Sequence, residues 1–343
     1  MRVLKAAPAS DESGPVFAEI RTAAVVYNPA SGRRRARRRA QIEEAARILS
    51  ASHVDAAIVS TTSAGSATQI ARDAVRGGCE MIVVCGGDGT INEVVNGIAG
   101  TRTPLAILPA GTANILAKEL RIPWNIPAAA RLIPKSRLVR IALGAATWRR
   151  SLPEAPEDSS RKSSFSRERC FLCAAGAGPD AAIVHGVRLG HKARLGILSY
   201  WLEGFRQFLS YPFPRFRVAS PERELTASLL VVGRTKHYGG PFRITTGASL
   251  FEDQFEVVAY AGRSRMNLLP CLPAICLGFL QRMPGIRKWK TSQIVCTPLD
   301  DSEIFSQLDG EPAAALPVAF RIVPHALTLA VPQHASAAGK DAH

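Results

Sequence analysis

The chain has 343 residues, 47% of them hydrophobic, which excludes a disordered protein and leaves room for two domains with cores of their own. A formal net charge of +15 points to anionic partners (nucleotide, nucleic acid or acidic lipid) without choosing among them. Seven scattered cysteines, an odd number, argue against a disulfide framework and for a reducing compartment.

Residues 1–20 read as a flexible leader without an apolar stretch of signal-peptide length. Ala23 to Tyr27 then predict a strand, followed by the turn Asn28-Pro29-Ala30-Ser31-Gly32 and a helix with Ile42, Ala45, Ala46 and Leu49 at helical spacing. Val54 to Val59 predict a second strand, followed by a polar turn from Ser60 to Gly65 and a helix through Ala74. Met81 to Val84 predict a third, leading into Gly86-Gly87-Asp88-Gly89. Thr90 and Glu93 have capping-box spacing there and set Val94, Val95 and Ile98 on the inner face of the next helix. Pro104 to Leu108 begin a fourth unit, with the turn Pro109-Ala110-Gly111-Thr112 and a helix from Ala113 to about Leu120.

Four β-turn-α units in succession predict a parallel sheet covered by helices. Their turns share the carboxyl edge, where such sheets bind ligands. Gly, Ser, Thr and Asn offer phosphate N–H and hydroxyl donors, and Asp88 adds a candidate metal ligand or base. Arg33 to Arg39 hold six arginines at the start of the first helix, where cations oppose the dipole. They read either as a solvated basic face or arm, or as an attractor of phosphate or lipid headgroups.

Past Pro134 short alternating runs replace this rhythm: Leu138 to Leu143, Cys170 to Ala175, Leu225 to Val232, Phe242 to Thr246, Phe255 to Tyr260 and Gln293 to Thr297. They predict an antiparallel sandwich or barrel-like domain. Ser151 to Arg169 read as a disordered insertion, and Cys170 and Cys173 as core. Gly176 to Ala181 match the GxGxxA dinucleotide pattern weakly. Leu195 to Leu209 predict an amphipathic helix. The run Leu268 to Leu280, too short to span a bilayer, is followed by Arg287-Lys288-Trp289-Lys290, which suits either packing on the sheet or docking on an anionic membrane. Asp309-Gly310-Glu311 set two carboxylates around a glycine turn, and Ala326 to Val331 predict a last strand.

Asn28-Pro29-Ala30-Ser31-Gly32, Gly86-Gly87-Asp88-Gly89-Thr90, Pro109-Ala110-Gly111-Thr112-Ala113-Asn114 and Asp309-Gly310-Glu311, in that order, resemble the diacylglycerol kinase catalytic-domain family. That family includes bacterial lipid kinases of the YegS and DgkB kind and is related to sphingosine and ceramide kinases. The resemblance runs from about residue 22 to 333. It implies a three-layer α/β nucleotide-binding domain at residues 21–135 and a β-sandwich lipid-substrate domain at 136–322, with an insertion at 151–169. A strand at 323–333 can return to the first domain, and a tail occupies 334–343.

The implied activity is transfer of the ATP γ-phosphate to a hydroxyl of a lipid such as diacylglycerol, in a cleft between the domains and with Mg²⁺. Sphingoid-base, phosphatidylglycerol and NAD acceptors are the alternatives within the superfamily. The resemblance assigns ATP to Asn28, Ser31, Gly32, Thr62, Gly86, Gly87, Gly89, Thr90, Glu93, Gly111, Thr112 and Asn114. It assigns catalysis to Asp88 and Glu311 and the metal to Asp88, Asp309 and Glu311. It further implies a cytoplasmic protein held peripherally on the inner, anionic face of a membrane, without a specific nucleic-acid partner and compatible with a homodimer. Where the family has Asp-Asp-Gly-x-x-Asp this chain has Glu252-Asp253-Gln254-Phe255-Glu256, which argues against an accessory metal there.

Overall fold

A computed structural model describes residues 17–32, 35–149, 166–189, 211–240, 242–262, 271, 274–275 and 278–336. The predicted helix at Leu195 to Leu209 and most of the Leu268 to Leu280 run lie outside these residues. No helix among the described residues is long and apolar enough to cross a membrane.

The first part alternates β1 (Thr22–Tyr27), α1 (Arg35–Ser50), β2 (Asp55–Ser60), α2 (Ser66–Arg76), β3 (Met81–Gly86), α3 (Asp88–Ile98), β4 (Pro104–Pro109), α4 (Ile115–Glu119) and α5 (Ile126–Leu132). β1 pairs in parallel with β2 and β3, and β3 with β4. α1 packs against α5 and α2 against α3. β3 and β4 are buried along their whole length, as a sheet covered on both faces requires. Each fully buried Val of β1 and β3 contributes about 1.5–3 kcal/mol by leaving water.

The second part is antiparallel. β5 (Arg137–Arg149), β6 (Ser166–Phe171), β7 (Ala174–Ala177), α6 (Pro179–Leu189), β8 (Phe216–Ala219), β9 (Glu224–Ala227), β10 (Leu229–Gly233), β11 (His237–Tyr238) and β12 (Phe242–Arg243) come first. β13 (Phe255–Tyr260), β14 (Ile286–Thr291), β15 (Gln293–Pro298), β16 (Phe305–Leu308), β17 (Glu311–Ala315), β18 (Val318–Val331) and α7 (Gln333–Ser336) complete the chain.

Strands β14-β13-β10-β7-β16-β17 form one sheet. It encloses a core with strands β5, β6, β8, β15 and the first half of β18, in which Phe171 stacks on Phe255 at 5.6 Å and meets Phe320 edge-on at 6.1 Å.

One strand joins the two parts. β18 pairs with β15 and β5 at its start, breaks register between Val323 and Leu327, and then pairs in parallel with β4 through Thr328 and Leu329. His325 takes a left-handed conformation (φ 50°) at the break. The result is a single 10-stranded sheet running through both parts.

Three expectations are corrected. The insertion stops short of Arg169, because Ser166 to Phe171 pair with β5 and Glu168 binds Arg321 at 2.7 Å; residues 151–165 lie outside the described residues. The single strand predicted from Cys170 to Ala175 bends at Leu172 and Cys173, whose N–H groups turn to a side chain instead of a neighbouring strand. That predicted from Leu225 to Val232 divides at Ser228 between two sheets. The Arg287 to Lys290 segment is a sheet edge: Trp289 packs on the sandwich core and donates to Ser220 Oγ, while Lys288 and Lys290 pair with Glu256 and Glu252.

Candidate active site

The site forms where the turns of the parallel sheet face the β16–β17 hairpin. After β3, Gly87 is extended and α3 starts at Asp88 with no side-chain cap. The expected capping box is absent. Thr90 lies inside the first turn, its Oγ1 accepting from Asn28 Nδ2 at 3.2 Å. Glu93 crosses to α2, accepting from the N–H groups of Gly65 and Ala67 at 2.8 and 3.1 Å. The glycines let the helix begin earlier than a Thr90 cap would. The first-turn N–H groups are left without a side-chain cap, which is the condition for binding an anion.

Close packing explains the glycines. A Cβ on Gly111 would lie 2.5 Å from Gly87 Cα, so the third and fourth turns meet backbone to backbone. One on Gly89 would lie 2.8 Å from Glu311 Oε1, which brings the far hairpin over the same turn. Asn114, left-handed at φ 48°, closes the fourth turn on itself: Oδ1 accepts from Gly111 N–H and Nδ2 donates to Gly111 O. This delays α4 to Ile115 and spends the Asn114 amide inside the turn. Thr62 and Thr112 are exposed at the rim.

The arginine run is not one feature. Arg37 and Arg39 are exposed, Arg39 pairing with Glu43 at 2.7 Å, and Arg33 and Arg34 lie outside the described residues. Arg38 is 6% exposed and donates from Nη2 to Ser31 O at 3.1 Å and Ala110 O at 3.3 Å. It clamps the first turn to the fourth.

Two carboxylates differ in how they are held. Asp88 Oδ1 accepts from Ile115 N–H at 2.8 Å. Desolvation raises its carboxyl above the ordinary range, against the pull of that N–H, and the negative charge of Asp309 raises it further. Asp309 sits at φ 50° in the hairpin, followed by Gly310 at φ 78°. Its Oδ1 accepts from the N–H groups of Cys173 and Ala174 at 2.8 and 2.9 Å. Its Oδ2 accepts from Leu172 N–H and Asn92 Nδ2, both at 2.7 Å. Four donors saturate the carboxylate, so the direct metal-ligand role expected of Asp309 does not fit. It is instead the pin that fastens the hairpin to the β6–β7 bend.

Glu311 Oε2 accepts from Arg169 Nη2 at 2.5 Å, and the same nitrogen donates to Asn92 Oδ1 at 2.8 Å. Asn92, 1% exposed, also donates to Cys170 O, and Asn96 Oδ1 accepts from Cys170 N–H. Sequence reasoning missed Asn92, Asn96 and Arg169, and noted Arg38 only as one of the arginine run. Asn92 and Asn96 carry a signal, two amides four residues apart beside an apolar stripe. Arg169 carries none, standing at the end of a polar stretch.

Gly176 to Ala181 run from β7 into helix α6 and face the hairpin. Asp180 Oδ2 accepts from Gln307 Nε2, whose Oε1 accepts from Gly310 N–H, so this motif braces the hairpin from behind. In the Glu252 to Glu256 stretch both glutamates pair with lysines, and Arg234 donates to the carbonyls of Leu250, Glu252 and Gln254. Among the described residues no three His, Cys, Asp or Glu side chains form a ready metal cage. Mg²⁺ is commonly held by one or two carboxylates together with substrate phosphates and does not require such a cage.

The family model for the diacylglycerol kinase catalytic domain matches residues 22–146, and that for the YegS C-terminal NAD kinase beta sandwich-like domain matches 174–331. A diacylglycerol kinase of Staphylococcus saprophyticus is 23% identical over 299 residues, 86% of this chain and 90% of that protein. One of Bacillus subtilis is 27% identical over 249 residues, 70% of this chain and 73% of that protein. A crystal structure of a diacylglycerol kinase from Bacillus anthracis superposes with a TM-score of 0.68 at 20% identity, covering 92% of this chain and 99% of that one. Two matching family models in sequence, on a fold that brings the glycine turns and the Asp309–Glu311 hairpin together, place this chain in the diacylglycerol kinase catalytic-domain family, kinases that phosphorylate a hydroxyl acceptor.

Proposed function

We propose that the protein transfers the γ-phosphoryl group of ATP to a hydroxyl of a membrane lipid, diacylglycerol before other acceptors. The observation that carries this reading is Glu311 Oε1 standing over Gly89, the residue after Asp88, beside glycine turns that meet backbone to backbone. Mg²⁺ supplies neutralisation of phosphate charge when bound, and Asp88 and Glu311 are the residues that would hold it.

In the transfer the lipid oxygen bonds to the γ-phosphorus while the bond from phosphorus to the bridging oxygen breaks, releasing ADP. The hydroxyl proton passes to a carboxylate late, because a lipid alcohol is a weak acid. Asp88 suits that task, since desolvation raises its affinity for a proton. Glu311 Oε2 is engaged by Arg169.

The relatives named diacylglycerol kinase support the lipid class of acceptor. The net charge of +15 and an exposed Trp124, with Lys118 Nζ 5.5 Å from its ring centroid, support peripheral contact with anionic lipid. The test is purified protein with γ-labelled ATP, Mg²⁺ and anionic phospholipid vesicles carrying diacylglycerol. Label is expected in phosphatidic acid. Parallel arms with sphingosine, phosphatidylglycerol and NAD discriminate the acceptor. Labelling of NAD without vesicles, or no transfer in any arm, overturns the reading.

A further inference from the structure

We infer that Arg169 is a positioning residue for phosphoryl transfer, which holds Glu311 over the Gly89 turn by tying it to helix α3; the inference rests on the kinase reading above. The guanidinium spans the cleft. One nitrogen, Nη2, is shared between Glu311 Oε2 on β17 and Asn92 Oδ1 on α3. Those two elements carry the two sides of the site, since α3 begins with Asp88 and β17 begins with Glu311.

The strand beneath Arg169 is fixed as well. Its neighbour Cys170 gives its N–H to Asn96 and its carbonyl to the amides of Asn92 and Asn96. The preceding residue, Glu168, bonds Arg321 and Thr147, so alternation along β6 leaves Arg169 on the cleft side. Arg169 and Glu311 side chains are 25% and 23% exposed, and an ion pair so shielded orients its partner far better than a surface pair.

Glu311 has three rotatable bonds, and its Oε1 reaches 2.8 Å from where a Gly89 Cβ would stand. Arg169 therefore acts on the reaction through the carboxylate it holds.

The experiment combines kinetics with a structure. Arg169→Gln is expected to lower kcat about 10- to 100-fold while KM for ATP changes less than about threefold, as misplacement of a reacting group does. Arg169→Lys recovers part of the loss. In a Glu311→Gln background, Arg169→Gln costs less than about twofold more, because the group it positions is already gone. Loss of equal size in that background, or a raised KM with kcat retained, overturns the inference in favour of direct phosphate contact. An undiminished kcat in the single variant overturns it outright.

A crystal structure of Arg169→Gln provides a readout without turnover. The Glu311 carboxylate is expected to leave Gly89, and an unmoved carboxylate overturns the inference. A wild-type protein inactive on every lipid, with Glu311 displaced in the variant, overturns the kinase reading alone.

Discussion

The Gly86–Thr90 turn and the Leu308–Glu311 turn bring acidic side chains to one cleft and use backbone N–H groups in opposite ways. At the first, glycines start a helix with no side-chain cap, and the first-turn amides remain for a ligand. At the second, the β6–β7 bend aims three amides at Asp309, joined by Asn92. Both Asp88 and Asp309 have carboxyls raised by desolvation, yet Asp88 opens helix α3 at the candidate site and Asp309 holds the hairpin. Proton affinity therefore does not distinguish a reactive carboxylate from a structural one. What differs is where the donors come from: α4's start for Asp88, the β6–β7 bend and the Asn92 side chain for Asp309.

Substitutions at these two aspartates break the comparison most sharply. Asp88→Asn keeps an acceptor for Ile115 N–H and removes a desolvated charge. It is expected to abolish about 10³-fold of phosphoryl transfer in the labelled-ATP assay while the melting temperature holds or rises. Asp309→Ala is expected to do the reverse in kind. It strands four donors and lowers stability by about 3 kcal/mol, a fall of order 10 °C in thermal unfolding. Equal melting temperatures for the two variants would collapse the distinction.

A methyl group tests the ligand side alone. Gly111→Ala places a Cβ 2.5 Å from Gly87 Cα and is expected to raise KM for ATP about tenfold by prising the turns apart, with a smaller change in kcat. The pH profile sharpens the electrostatics. Since the Asp88 carboxyl lies above its ordinary range of about 3.9, the ionised base accumulates only at higher pH, and kcat/KM should rise along a correspondingly displaced acidic limb. Folding follows the same sign: the native state holds that proton more tightly, so the contribution of Asp88 favours folding at low pH and declines as pH rises through the raised value. Asp309→Asn removes a neighbouring negative charge, and its limb should move to lower pH. The smallest effect is expected at Arg39→Gln. Its ion pair with Glu43 is on the surface, and neither melting temperature nor transfer rate should change measurably.

Most of the α/β part was legible because its signals are local. Buried parallel strands read as apolar runs, and the glycine turns follow them within a residue or two. The antiparallel part was legible in kind and not in detail. Leu225 to Val232 is one apolar run, and nothing local marks Ser228 as the point where the chain changes sheets. Trp289 and its lysines suited either packing on the sheet or docking on a membrane, and facing acids at Glu252 and Glu256 make them a paired sheet edge.

The sequence by itself determined that polar, glycine-bearing turns alternate with apolar strands, that Asp88 lies in one of them and that Asp309 and Glu311 flank a second turn. Those features depend on residues adjacent in the chain, where glycine, carboxylate and apolar patterning act directly. Only the tertiary structure decided that Asp309 is a pin, that Arg38 is a buried clamp between the exposed Arg37 and Arg39, and that Arg169 links Glu311 to α3. Each of those roles is set by a partner tens to hundreds of residues away. A polar side chain's role follows from which donors or acceptors reach it first, and β18, by joining both parts into one sheet, is what brings them within reach.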